Sequence, residues 1–176
     1  MYKVETIANY FIEKGIAVED PLDQLRLQKL LYYAYGWGLV MSDREKLFDA
    51  PIQTWQCGPI IFKLFHMLKR YGMAELDEPI YRFENSSFNW LLINFTPRRL
   101  NPRKERDKRI MGFLDSIWQA YSGMEPSKLA KTLVDKGTPW DKLRKKYGRV
   151  PNGTLIDDQM LIDYFLPLKE KQQHQQ

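Results

Sequence analysis

The stretch from Leu25 to Met41 is apolar on two sides of a helix. Leu27, Leu30, Leu31, Ala34, Gly38 and Met41 share one face, and Tyr33, Trp37 and Val40 make a second. A helix with a single apolar stripe lies on the surface of a fold, whereas one that is apolar on two sides has to be enclosed by other elements. The rest of the chain is therefore expected to wrap around this helix. Gly36 and Gly38 lie inside it, each costing about 1 kcal/mol relative to Ala. Such glycines mark places where a neighbouring element comes close.

Helical spacing continues through most of the chain. Val4, Ile7, Ala8, Phe11 and Ile12 follow the i, i+3, i+4 pattern, with Gly15 as the expected stop. Ile52-Gln53-Thr54-Trp55 alternates like a short strand. Gly58-Pro59 reads as a helix opening with proline at N1, followed by a stripe of Ile60, Ile61, Leu64, Phe65 and Leu68 and ended by Gly72. Ile80 to Phe83 is a second candidate strand, and Phe88 to Phe95 fits a strand or a helical turn. Ile110, Phe113, Leu114, Ile117, Trp118 and Tyr121 define a helix for which Asn101 is read as N-cap and Pro102 as N1. Pro126 to Val134 and Pro139 to Tyr147 read as two short helices, the second capped by Thr138 and stopped by Gly148. Val150 to Gly153 is a turn. Asp157 caps a last helix carrying Leu161, Tyr164 and Phe165, and Lys169 to Gln176 reads as a frayed polar tail. The expected fold class is mainly α with minor β: one compact helical domain over residues 1–168, with one or two short strands or a hairpin, then a tail over 169–176.

A chain of 176 residues, 44% hydrophobic, builds such a core without covalent staples, and the lone Cys57 excludes an internal disulfide. The first residues carry charges where a signal peptide is apolar. No stretch approaches the ~18 apolar residues of a membrane span. A soluble, cytoplasmic protein without a membrane partner is expected. The net charge of +5 is unevenly spread. Residues 98–109 hold seven basic side chains and two acids, and residues 142–149 hold five basic side chains and no acid. Each run is thus net +5, which leaves the remainder net −5. A polarised chain attracts nucleic acid or an acidic protein, or simply presents a solvated basic face. With Asn101 as N-cap, Arg103 and Lys104 would stand in a first turn where the macrodipole disfavours cations. A compensating acidic partner surface is therefore expected at Arg103, Lys104 and Arg106.

The inventory for catalysis is thin. His66 and His174 are the whole supply of histidine, and the chain has no phosphate-binding glycine loop and no His-Glu-x-x-His pair. Cys57 precedes the helix expected at Gly58-Pro59, a position that lowers a thiol pKa. A nucleophile also needs an oriented base, and His66 lies about two turns further on. No catalytic, metal or cofactor residue is assigned. A nucleic-acid-binding protein using the two basic runs, and an enzyme centred on Cys57, stand as alternatives to a protein-binding role. Among the aromatics, Tyr33 and Trp37 read as core. Tyr32 and Tyr35 are the better interface candidates.

Leu27-Gln28-Lys29-Leu30-Leu31-Tyr32-Tyr33, then Gly36-Trp37, Leu47-Phe48-Asp49, Trp55 with Gly58-Pro59-Ile60, and Lys69-Arg70-Tyr71-Gly72 follow in an order that resembles the Panacea domain of SocA-like antitoxins and phage-associated GepA-like proteins. The likeness continues through Pro139-Trp140 to Ile156 and Tyr164-Phe165. It departs at Leu133-Val134, where the family often has Thr-His. The resemblance implies a mainly helical protein without a cofactor, encoded beside a toxin, often in a prophage, that neutralises this cognate protein toxin by direct binding. It also implies delivery to a cellular protease as a variant of that role. Gln28 and Lys29 lie in the most family-like helix but outside the stripe of Leu27, Leu30 and Leu31. They are expected on a surface or in a polar network needed for neutralisation, with Gln28→Ala and Lys29→Ala leaving folding intact.

Overall fold

The central helix begins where Asp23 turns its carboxylate onto the chain ahead of it. Asp23 Oδ1 accepts hydrogen bonds from the backbone N–H groups of Leu25 (2.7 Å) and Arg26 (2.8 Å), so α2 runs from Gln24 to Met41. In a computed structural model that describes residues 1–84 and 94–173, α2 is enclosed by α1 (Val4–Ala17), α4 (Glu105–Tyr121), α5 (Pro126–Val134), α7 (Asp158–Gln173) and a small sheet. The thirteen consecutive residues of α2 from Leu27 to Leu39 are all buried. The two-sided apolar pattern has the consequence expected of it.

The two glycines of α2 differ. A Cβ on Gly36 would lie 2.1 Å from the ring of Phe165, so the absence of a side chain is what allows α7 to cross α2 at this point. At Gly38 the nearest atoms, of Leu47 and Phe113, would be at ordinary contact distance, 3.7 and 3.9 Å. Gly15 does not stop α1. The helix passes through it to Ala17, and Asp20 donates its N–H back to the Gly15 carbonyl.

β1 (Ile52–Trp55) pairs antiparallel with β2 (Gly58–Ile61), Ile52 opposite Ile61 and Trp55 opposite Gly58, and β5 (Leu155–Ile156) lies on the other side of β1. Gly58-Pro59 therefore opens a strand instead of a helix. Gly58 has φ +103°, a value suited to glycine where the chain leaves the Gln56-Cys57 turn. Pro59 faces Thr54, which exchanges its own N–H and C=O with Thr154 and Gly153 on the β5 side, both at 2.8 Å. Thr54 asks for no hydrogen bond from β2, so an edge-strand proline costs nothing there. The helix expected at Gly58, α3, spans Phe62–Leu68 and ends in a 3₁₀ turn, Lys69–Tyr71, before Gly72.

A second ribbon pairs β3 (Tyr81–Glu84) with β4 (Asn94–Pro97). Residues 88–93 of the segment read as strand or helical turn lie outside the described residues. The fold is mainly α with minor β, as the sequence predicts. α6 (Pro139–Tyr147) has the expected cap, Thr138 Oγ1 accepting from Asp141 N–H, and Gly148 follows in the left-handed region at φ +68°. The polar tail is helical as far as Gln173, and Lys169 donates to the Val40 carbonyl at the end of α2 (2.7 Å). No helix among the described residues is long and apolar enough to cross a membrane.

Candidate interaction surface

Gln28 and Lys29 are interior residues, 1% and 3% exposed. Of the two expected placements, a surface or a polar network, this removes the first and leaves the second. Gln28 Oε1 accepts from Ile61 N–H (2.8 Å) while its Nε2 donates to Ile61 C=O (3.2 Å). One side-chain amide thus serves the outer edge of β2 as a further strand would. Asn9, which is fully buried on α1, does the same for Ile80: its Oδ1 accepts from Ile80 N–H and its Nδ2 donates to the carbonyls of Ile80 and Arg98. Asn9 thereby ties both strands of the β3–β4 ribbon to the core at its open end. Sequence reasoning passed over Asn9, although a polar residue set among apolar neighbours at helical spacing is the signal for such a role. Lys29 Nζ donates to Cys57 C=O (3.0 Å), and burial lowers its pKa to about 8.

The hairpin held by these two side chains carries an aromatic array. Trp140 on α6 donates its indole N–H to Trp55 C=O (2.8 Å), fixing the strand from the other side. The Trp55 ring stacks on Phe62 at 5.4 Å and an interplanar angle of 6°, and the His66 ring meets Phe62 edge-on at 4.3 Å. Trp55 and Phe62 are half-buried and His66 is exposed. Cys57 is exposed on the hairpin turn, five residues before α3, so no helix N-terminus acts on its thiol.

Tyr32 and Tyr35 are buried, 1% and 4% exposed, and the expectation of an interface at these rings fails because no face of α2 is left uncovered there. Tyr35 donates to Asp158 (2.9 Å), and Tyr32 lies among Tyr33 and Phe165. Tyr33 and Trp37 are core residues bridged by Tyr121, which stacks on the first at 3.9 Å and accepts the indole N–H of the second. At the family departure, Leu133 is core and Val134 closes on the backbone of Gly58.

The basic runs separate into paired and unpaired charges. Arg99 pairs with Glu13 (2.6 Å) and Arg98 with Glu5. On α6, Asp141 accepts from Lys145, the Gly137 N–H and Arg144, which together hold its carboxyl well below the usual range. Arg103, Lys104, Arg106, Lys108 and Arg109 are all exposed, and none has a carboxylate within 4.0 Å among the described residues. Arg103 and Lys104 do not oppose the dipole of α4. The helix starts at Glu105, after a turn in which Asn101 accepts the N–H groups of Arg103 and Lys104, with Pro102 at the corner. Glu105 and Asp107 then occupy the first turn, where negative charge is favoured.

Asp107 anchors this end of the molecule. It accepts from Tyr2 OH (2.6 Å) and from Asn101 N–H (2.8 Å). Burial works against its ionisation, but these donors and the nearby Lys104 and Arg106 outweigh it and lower its pKa. The tyrosine ring, so fixed, lies under the Arg106 guanidinium at 5.2 Å. Among the described residues, no three His, Cys, Asp or Glu side chains converge as metal ligands do.

No solved structure matches the chain. The antitoxin SocA of Caulobacter vibrioides (strain NA1000 / CB15N) is 24% identical over 160 residues, an alignment covering 90% of this chain and 80% of that protein. The family model for the SocA-like antitoxin, Panacea domain, matches residues 27–141, the span that runs from the first buried leucine of α2 to the Asp141 cluster of α6. With about two thirds of its length matched, this chain belongs to the family of SocA-like antitoxins built on the Panacea domain.

Proposed function

We propose that the protein neutralises a cognate protein toxin in the cytoplasm by binding it directly, with no catalytic step of its own. The observation that carries this reading is the Trp55–Phe62–His66 array, half-exposed on a hairpin that Gln28, Lys29 and Trp140 lock to the core. Aromatic side chains held rigid before binding lose little conformational entropy on association, and Trp is among the residues that dominate the energetics of protein interfaces. Membership of an antitoxin family supplies the class of partner.

The test is co-expression with the product of the adjoining reading frame. The wild-type chain is expected to restore growth of cells expressing that product and to co-purify with it as a stable complex. Phe62→Ala should keep the fold and weaken the complex. Restored growth with no complex at any salt concentration refutes binding as the mechanism.

A further inference from the structure

A groove of about 730 Å³ opens between the end of α2 and the first turns of α4. Its floor is apolar: Leu47 below, Ile110 and Phe113 half-buried along α4, and Met41 at the lip, 60% exposed. Arg106 and Arg109 stand three residues apart on α4, on the face that continues into Ile110 and Phe113. Both guanidiniums lie on the groove, and neither has a carboxylate partner among the described residues. Arg106 is pre-positioned by the Tyr2 ring, which Asp107 holds in turn. The opposite wall carries Glu45 and, beside it, Lys46, whose ammonium is already paired with Asp158 at 2.7 Å, so the unpaired positive charge of the groove lies on the α4 side.

We infer that this groove seats an acidic segment of the toxin that carries one bulky apolar side chain, its carboxylate on Arg106 and Arg109 and its apolar anchor over Met41, Ile110 and Phe113. Uncompensated guanidiniums are matched by carboxylates in a two-pronged geometry. The apolar floor gains nothing from a phosphate backbone, and of its two half-buried rings, Tyr2 and Phe113, the first is already covered by Arg106, which leaves no row of stacking platforms such as single-stranded nucleic acid uses. Glu45 repels a continuous line of phosphates but leaves room for a carboxylate on the α4 side. The inference rests on the direct-binding reading and adds a second contact to it, apart from the aromatic array.

The experiment measures association and dissociation of the purified toxin, the product of the adjoining reading frame, at 0.05 and 0.5 M salt. The proteins compared are the wild-type chain, Arg109→Glu, Met41→Lys and, as a charge control on α6, Lys142→Glu/Lys146→Glu. Arg109 and Met41 are exposed, and melting curves close to wild type establish that the folds are intact. Arg109→Glu should slow association at least 10-fold at low salt, with the difference shrinking at high salt. Met41→Lys adds a positive charge, so it should leave association unchanged or faster and raise dissociation about 10-fold by removing the apolar contact. The α6 control should stay within twofold. The groove assignment is overturned if Arg109→Glu and Met41→Lys both bind as wild type does, or if the control loses as much as Arg109→Glu. It is equally overturned if Arg109→Glu releases a 20-base DNA duplex while binding toxin unchanged, or if Met41→Lys splits a homodimer with toxin binding intact. A wild-type chain that does not bind the toxin refutes the direct-binding reading itself.

Discussion

Replacing Gln28 tests how the hairpin is attached to the core. The amide of Gln28 satisfies both backbone groups of Ile61, which is 1% exposed, and no water-facing edge of β2 is available to take over. A buried donor or acceptor left without a partner costs about 1–3 kcal/mol. Two such groups therefore cost on the order of 2–5 kcal/mol, a sizeable part of the roughly 5–15 kcal/mol that stabilises a domain. Gln28→Met is the cleaner perturbation, because it keeps the side-chain volume and removes only the two hydrogen bonds. Gln28→Ala adds a cavity to the same loss. Urea unfolding of the three proteins should show an unchanged slope and midpoints falling in the order wild type, Met, Ala. Hydrogen exchange should show the Ile61 amide losing protection first. A Met variant within about 0.5 kcal/mol of wild type would falsify the argument, because the paired amide would then contribute no more than any solvated side chain.

Three further outcomes follow from other parts of the structure. Burial lowers the Lys29 pKa to about 8, against about 10.4 in an unfolded chain, so between these values the unfolded state binds more protons and stability should rise with pH. Above about pH 10 the sign reverses, because burial raises the pKa of Tyr33 and Tyr35, and burial with the Asp107 hydrogen bond raises that of Tyr2 to about 12. Melting curves from pH 7 to 11 should show Lys29→Met losing the rise and keeping the fall. An identical profile in the two proteins would show that Lys29 is not desolvated. Gly36→Ala puts a methyl group into the Phe165 ring and should cost at least about 1–3 kcal/mol, part of which Phe165→Leu recovers in the double variant. If the two changes are additive, the α2–α7 crossing is not set at this glycine. Phe62→Ala, half-exposed, should move the melting temperature little and weaken toxin binding by 2 kcal/mol or more, about 30-fold. Unchanged toxin affinity would remove the aromatic array from the interface.

What could be read from the sequence depended on whether the deciding partner was near in the chain. The Thr138-Pro139 opening and Gly148 stop of α6 are local signals, and they were decisive. Gly58-Pro59 is locally ambiguous, because a proline that needs no N–H suits both a helix N1 position and an edge strand. The outcome was set by Thr54 turning to Thr154, a hundred residues away. Asn101-Pro102 is ambiguous in the same way between a cap and a turn. Here Glu105 and Asp107 were in the sequence to decide it, since a first turn rich in acids places the helix start after Lys104. Gln28 and Lys29 were expected on a surface or in a polar network from their place beside a leucine stripe, and the surface alternative assumes one covered side. α2 is covered all round, and the same enclosure took Tyr32 and Tyr35 out of reach. Trp55 was legible as a motif residue. Its stacking on Phe62 and His66 was not, because the helix register assumed from Gly58 gave those rings the wrong neighbours.

The motif residues of the most family-like helix are thus interior ones. Leu27, Gln28, Lys29, Leu30 and Leu31 are all buried, and the polar members among them bond to backbone, which every sequence has. Such residues define the framework and carry no information about a partner. The exposed positions that the framework holds in place, Met41, His66, Arg106 and Arg109, with half-exposed Phe62, are free to vary without unfolding it. Under the direct-binding reading, partner choice and stability are therefore separable in this fold. Exchanging those five side chains for the corresponding ones of another family member should transfer toxin preference with melting temperature nearly unchanged. Exchange of Gln28 or Lys29 should lower stability and leave the preference of the surviving folded fraction as it was. A preference that followed Gln28 and Lys29 would place recognition inside the clamp, and the division between framework and surface would have to be abandoned.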